Sequence, residues 1–305
     1  MGETILFCFV FLSQVLMISW FYPRRVISRR RYVLQNFPPS TYPKGYPLPI
    51  EYYERRLRNF ARSNLVIVVA GLLIIGLIVS ALVGDWDWGI FAPSQKKHWD
   101  TVIVTPFFLL QCAIVSIGLV SPKHQKAMAK APPPRVRTTE LHRRRLVDFV
   151  SPTMLVVAVL TNVAFIAFAL YYRRFELPWF TAAGNIAIVA AMLLFFSVLI
   201  GITLRARKPD PFQAHQDRRN SLELVVRMAL TACIAVPVLI TAQLIIKLFY
   251  PDLLEPAIAS LLCQGVAVTL LWPLYSYRAD KVDFDVYRED AKDPTPDASA
   301  RINSP

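Results

Sequence analysis

PRRVISRRRYVLQNFPPSTYPKGYPLPIEYYERRLRNFARS runs from Pro23 to Ser63 and parts a first apolar run from all later ones. It holds ten of the chain's 34 Lys+Arg and only two acidic residues, Glu51 and Glu54. An apolar run of about 20 residues spans a hydrocarbon core about 30 Å thick, and this stretch contains none. It is therefore a non-membrane segment between membrane segments. Its charge sets the orientation, because Lys and Arg accumulate on the cytoplasmic side.

Upstream, TILFCFVFLSQVLMISWFY covers Thr4–Tyr22. The basic residues follow this run rather than precede it, the reverse of a secretory signal peptide. The expectation is an uncleaved first helix with its N-terminus outside. Downstream, six more apolar runs occupy Leu65–Gly84, Thr101–Ser121, Ser151–Tyr172, Thr181–Leu204, Val226–Tyr250 and Ala257–Tyr275. The fold class is thus all-α, a polytopic integral membrane bundle of seven transmembrane helices. If the seven alternate, 29 of the 34 Lys+Arg fall on one side; only Lys96, Lys97, Arg173, Arg174 and Lys247 fall on the other. The positive-inside rule then gives N-terminus out and C-terminus in. The organisation reads as residues 1–22 (first helix), 23–64 (basic loop), 65–275 (six further helices) and 276–305 (a cytoplasmic tail, largely disordered).

Composition agrees. The 305 residues are 55% hydrophobic, with mean hydropathy +0.41, net charge +13 and pI near 9.8. Topogenic loops account for the charge, so no nucleic-acid partner is implied. Cys8, Cys112, Cys233 and Cys263 all lie in apolar runs without ligand spacing, which argues against a disulfide framework or a zinc site.

Within the opening stretch, Pro38, Pro39, Pro43, Pro47 and Pro49 forbid a helix and favour an extended, polyproline-like course, with Tyr42 and Tyr46 interleaved. Ile50, Tyr53, Leu57 and Phe60 then recur at helical spacing with charge between them, predicting a short amphipathic helix that leads to the membrane. The Pro/Tyr run is more patterned than a bare linker requires, so it is expected to be ordered against the bundle or a partner. Elsewhere, Trp86, Trp88 and Trp99 fit an interfacial belt. Residues 138–150 suit a surface helix, and Asn220–Glu223 resembles a capping box opening the sixth helix. Pro237 predicts a kink within that helix. Gly76, Ser80 and Gly84 form a small-residue stripe suited to close helix approach.

No ionisable residue lies clearly inside a span. Such residues usually mark proton relays and charged-substrate paths, so their absence argues against a proton-coupled transporter, an intramembrane metalloprotease or a haem protein. His98, His124, His142 and His215 all lie in loops, and no catalytic, cofactor-binding or metal-ligating constellation is visible. The expected role is a non-catalytic membrane component, a subunit, anchor or scaffold, in the plasma membrane of a bacterium (the inner membrane). Its contacts with anionic lipids of the cytoplasmic leaflet, or with a protein partner at 23–64, are assigned to Arg29, Arg30, Arg31, Tyr42, Tyr46, Arg55, Arg56, Arg143, Arg144 and Arg145. Near the middle of their spans lie the amides Gln14, Gln111, Asn162 and Gln264. These read first as packing glue and second as a polar path in a channel or facilitator for a neutral or apolar solute. An interfacial lipid-processing enzyme using the loop histidines is a third reading.

Overall fold

The structure is a computed structural model and describes residues 2–84, 89–119, 121–130, 145–172, 182–205, 210–249, 255–276 and 282–288. It is all-helical among these residues. The helices are α1 (Gly2–Leu16), α2 (Tyr22–Asn36), α3 (Ile50–Gly84), α4 (Thr105–Leu119), α5 (Pro122–Ala129), α6 (Pro152–Tyr172), α7 (Ala182–Arg205), α8 (His215–Phe249) and α9 (Glu255–Ser276). Six helical segments are long and apolar enough to cross a membrane: Gly2–Asn36, Ile50–Gly84, Val102–Ala129, Pro152–Tyr171, Ala183–Arg205 and His215–Ile245. The apolar part of α9, Pro256–Leu271, is shorter.

The helices pack as two groups. Phe7, Phe11 and Val15 of α1 meet Ile67 and Val68 of α3, Phe107 of α4 and Ala257 and Ala259 of α9 in the largest core cluster. Ala158 of α6, Ile200 of α7 and Val226, Ala229 and Leu230 of α8 form a second. Packing between α8 and α9 joins the two groups. The C-terminal helix therefore closes the N-terminal half of the molecule.

Several expectations are corrected here. The first helix does not stop at Tyr22. A π-helical turn, Met17–Phe21, joins α1 to α2, and Tyr22 N–H reaches back to the Met17 carbonyl. This wider turn loosens the ladder just where Pro23 has no N–H to offer. Residues 24–36 contain neither Gly nor Pro, so the helix continues and the five arginines ride on it. Likewise the amphipathic Ile50–Arg62 segment and the second span are one 35-residue helix. At 1.5 Å per residue that is about 52 Å, far longer than a hydrocarbon core of about 30 Å, so its basic first third projects beyond the apolar part.

The prolines do not produce an extended course. Thr41 and Tyr42 N–H groups bond to the Pro38 carbonyl, Gly45 to Tyr42 and Tyr46 to Pro43, and Pro43–Gly45 is a 3-10 turn. Asn220 is no helix start: α8 begins at His215, and Ser221 Oγ bonds back to the Asp217 carbonyl inside the helix. Trp99 is buried within the protein. It is 1% exposed, packs on Phe7 with ring centroids 5.0 Å apart, and donates its indole N–H to the Ile90 carbonyl at 2.9 Å. Trp86 and Trp88 lie outside the described residues, as does most of the surface helix expected over 138–150, of which only a 3-10 turn, Leu146–Asp148, is described. The α8 helix runs unbroken through Pro237, which is buried. Gly76 has open space where a Cβ would stand, so no close approach within the chain occurs at that position. The close approaches are elsewhere. A Cβ at Gly71 would meet Val15 at 2.6 Å, and one at Gly118 would meet the Phe60 ring at 2.0 Å.

Candidate functional site

Where the first helix, α3 and α5 emerge on the arginine-rich face, a cavity of about 420 Å³ opens. The sequence between Asn36 and Ile50 builds one wall of it. Phe37, Tyr42 and Tyr46 each precede a proline, and the proline ring disfavours the helical conformation for the residue before it. All three have φ near −124° and ψ of 55–71°. Each break turns an aromatic ring toward the cavity, which Phe37, Tyr42 and Tyr46 line together. The Tyr46 hydroxyl fixes the fold of the segment by donating to the Phe37 carbonyl at 2.7 Å.

The amphipathic start of α3 supplies the second wall. Leu57 and Phe60 are buried, while Glu51, Glu54, Arg55, Arg58 and Arg62 are exposed, as the helical spacing predicts. Tyr52 hydrogen-bonds Ser121 Oγ at 3.0 Å, and Tyr53 hydrogen-bonds His124 Nδ1 at 2.9 Å. Arg56 donates from one terminal nitrogen to the carbonyls of Ile117 and Gly118 at 3.0 and 3.1 Å. It thereby caps the C-terminal end of α4, whose last carbonyls have no partner within the helix and carry partial negative charge. Arg30 of α2 enters from the opposite side.

The far wall comes from parts of the chain that look unremarkable in sequence. Asp210 accepts the backbone N–H groups of Phe212 and Gln213 on one oxygen and the Tyr287 hydroxyl on the other, at 2.6 Å. Phe284 stacks on Phe37 with centroids 3.8 Å apart. Asp283 N–H donates to Asp217 at 3.0 Å. Residues 282–288, within a tail expected to be largely disordered, are thus a strap across the cavity; the rest of the tail lies outside the described residues. Aromatic residues in an otherwise acidic tail, V-D-F-D-V-Y, were the available signal.

Among the described residues that line the cavity, Arg30 and Arg56 are cationic and Asp210 is a carboxylate. Arg30 and Arg56 stand beyond the apolar runs. Burial, and then the charge of Arg56, pull Arg30 down to about 10, so it remains a cation. Burial lowers His124, the nearby Asp210 carboxylate raises it and Arg56 lowers it, with a net fall below 6.5 that leaves the imidazole neutral near pH 7. Burial also raises the Tyr46 phenol.

Of the sequence-assigned contact residues, Arg30, Tyr42, Tyr46 and Arg56 line this cavity together. Arg31, Arg55 and Arg145 are exposed and Arg29 is half-buried. Arg143, Arg144 and His142 lie outside the described residues. His124 reaches the cavity, and His215 is exposed at the start of α8. Sequence reasoning did not single out Phe37, Asp210, Phe284 or Tyr287 as site residues.

The amides divide differently. Ser260 donates to Gln14 Oε1 at 2.7 Å, Gln14 Nε2 to Gln111 Oε1 at 3.0 Å, and Gln111 Nε2 to Ser19 Oγ at 2.9 Å. Gln264 Nε2 donates to the Val10 carbonyl at 3.0 Å. These groups tie α1, α4 and α9 into one buried ladder, with Gln14 and Gln111 at most 1% exposed. Asn162 is elsewhere: on α6, it donates to the Cys233 carbonyl of α8 at 3.0 Å. No group of three or more His, Cys, Asp or Glu side chains disposed to hold a metal ion occurs among the described residues. Comparison with protein-family models, with curated proteins and with solved structures returns no match.

Proposed function

We propose that the chain is a non-catalytic membrane component, a subunit, anchor or scaffold, whose basic face engages anionic lipid headgroups or a protein partner. In this reading it crosses a bacterial inner membrane seven times, with the N-terminus out and the basic face cytoplasmic. The charge partition supports the orientation. The packing of α9 along α1, through Ser260 and Gln264, supports α9 as the seventh crossing. The observation that carries the functional reading is an array of exposed arginines, the basic rim of this face. Arg24, Arg25, Arg31, Arg55, Arg58 and Arg62 are exposed on two helical extensions that stand beyond the apolar runs. Each such cation near an anionic surface contributes about 1 kcal/mol. Ser260, Gln14, Gln111 and Ser19 bond to one another inside the bundle, which suits a structural role for these amides.

Native mass spectrometry of the protein extracted from a mixed bilayer tests this reading. Anionic phospholipid is expected to be retained in excess of its bulk fraction, and the Arg31→Gln/Arg55→Gln/Arg58→Gln variant is expected to lose that excess without a change in Tm. Equal retention by both proteins would contradict the lipid reading.

A further inference from the structure

We propose that the cavity walled by Phe37, Tyr46, Tyr53 and Phe284 is a specific binding site for a phosphate ester, its phosphate held between the guanidinium groups of Arg30 and Arg56 and its organic part laid against the aromatic wall. The proposal deepens the reading of the basic face as an anion-engaging surface, but it uses inward-facing arginines rather than the exposed rim.

Three features point to this chemistry. The first is charge. Arg30 and Arg56 line one half-buried space, and Asp210 is the single carboxylate among the described residues that line it. Both Asp210 oxygens already accept hydrogen bonds from Tyr287 or from backbone N–H groups. Two cations in a space of low dielectric repel each other, and an anion bound between them converts that repulsion into attraction. Burial first, and the charge of Arg56 second, lower the pKa of Arg30.

The second feature is geometry. A guanidinium presents its N–H groups in a planar fork that matches phosphate oxygens. Arg56 is held at the end of α4 by one terminal nitrogen, which donates to the Ile117 and Gly118 carbonyls, so the orientation of its guanidinium is set. His124, which lines the same cavity, is oriented by Tyr53 through Nδ1.

The third feature is size. About 420 Å³ lies within the range of small-molecule sites, roughly 300–1,000 Å³, and greatly exceeds a phosphate ion. The remainder of the volume is bounded by aromatic rings and by Val33, Leu34, Leu57 and Met128, a surface suited to an apolar body. A phosphate ester satisfies both halves of the site. A phospholipid headgroup and a soluble phosphate ester share this chemistry.

The test uses the full chain in nanodiscs of purely zwitterionic lipid, titrated by calorimetry with three probes: dihexanoyl phosphatidic acid, phenyl phosphate and dihexanoyl phosphatidylcholine. Saturable binding of at least one of the first two, at least tenfold tighter than the zwitterionic control, is expected. Preference for phosphatidic acid identifies a lipid headgroup as the source, and preference for phenyl phosphate identifies a soluble ester; either supports the site. Arg30→Gln should weaken binding at least tenfold. Arg56→Gln also removes the cap on the end of α4, so Leu34→Trp provides the second variant: it keeps both arginines, fills the cavity and should abolish binding. The rim variant Arg31→Gln/Arg55→Gln/Arg58→Gln should bind both phosphate probes normally even if its bilayer enrichment is lost, which separates this site from the rim. No saturable binding of either phosphate probe, or binding unaffected by Arg30→Gln and Leu34→Trp, would overturn the proposal.

Discussion

His124 is the residue whose environment differs most from its sequence setting. It follows a serine, a proline and a lysine and looks like one more loop histidine, yet the fold presses it between Tyr53 and Arg56 of α3 and the Asp210 carboxylate. Burial favours its neutral form, so the folded state binds fewer protons than the unfolded chain, whose histidine titrates near 6.5. The sign follows directly. Stability linked to this group is intact above pH 6.5 and declines as the pH falls below it. Acidification from pH 7.5 to 5 is therefore expected to lower Tm by a few degrees, and His124→Gln, which keeps a hydrogen-bonding partner for Tyr53, is expected to flatten that part of the profile. Identical slopes for the two proteins in a thermal-shift series would remove His124 from the account. None of this was legible in the sequence, because a histidine's partners here lie 71 residues away.

At the scale of elements, the sequence carried the helices and the amphipathic face of α3, since both follow from the spacing of apolar residues. Leu57 and Phe60 are buried and Arg55 and Arg58 exposed for that reason alone. Proline was the misleading signal. At Pro38–Pro49 it predicts an extended chain, and the structure has consecutive tight turns there. The local rule that proline disfavours helix at the residue before it holds at Phe37, Tyr42 and Tyr46 but not at Tyr22 or Thr105, which stay helical. What followed it depended on the aromatic contacts that each break makes possible, and those are tertiary. The midplane amides were legible as residues needing partners, but not as which partners. Gln14 and Gln111 now form a direct α1–α4 link whose strength can be measured. Gln111→Leu strands the Gln14 amide and should cost about 1–3 kcal/mol. A double-mutant cycle with Gln14→Leu should give a coupling of about 0.6–2 kcal/mol in detergent unfolding. Strict additivity of the two substitutions would mean the link contributes nothing.

For the molecule as a whole, the apolar runs made a multi-pass helical protein readable from sequence, and six helices are long and apolar enough to be spans. The pairing of the C-terminal helix with the N-terminal one was not readable, because nothing in a uniformly apolar segment names its neighbour in lipid. That pairing brings the tail strap over the Asn36–Ile50 segment and so completes the cavity. The proposed role requires the rim, the cavity and the strap to share the cytoplasmic side of a membrane. Single-cysteine labelling with an impermeant maleimide tests this most directly, comparing right-side-out with inverted vesicles. Thr41→Cys and Ile90→Cys place probes at exposed positions before and after the second span. Thr41→Cys should react only in inverted vesicles and Ile90→Cys only in right-side-out ones. Reaction of both probes from one side, or the reverse pattern, would contradict the account.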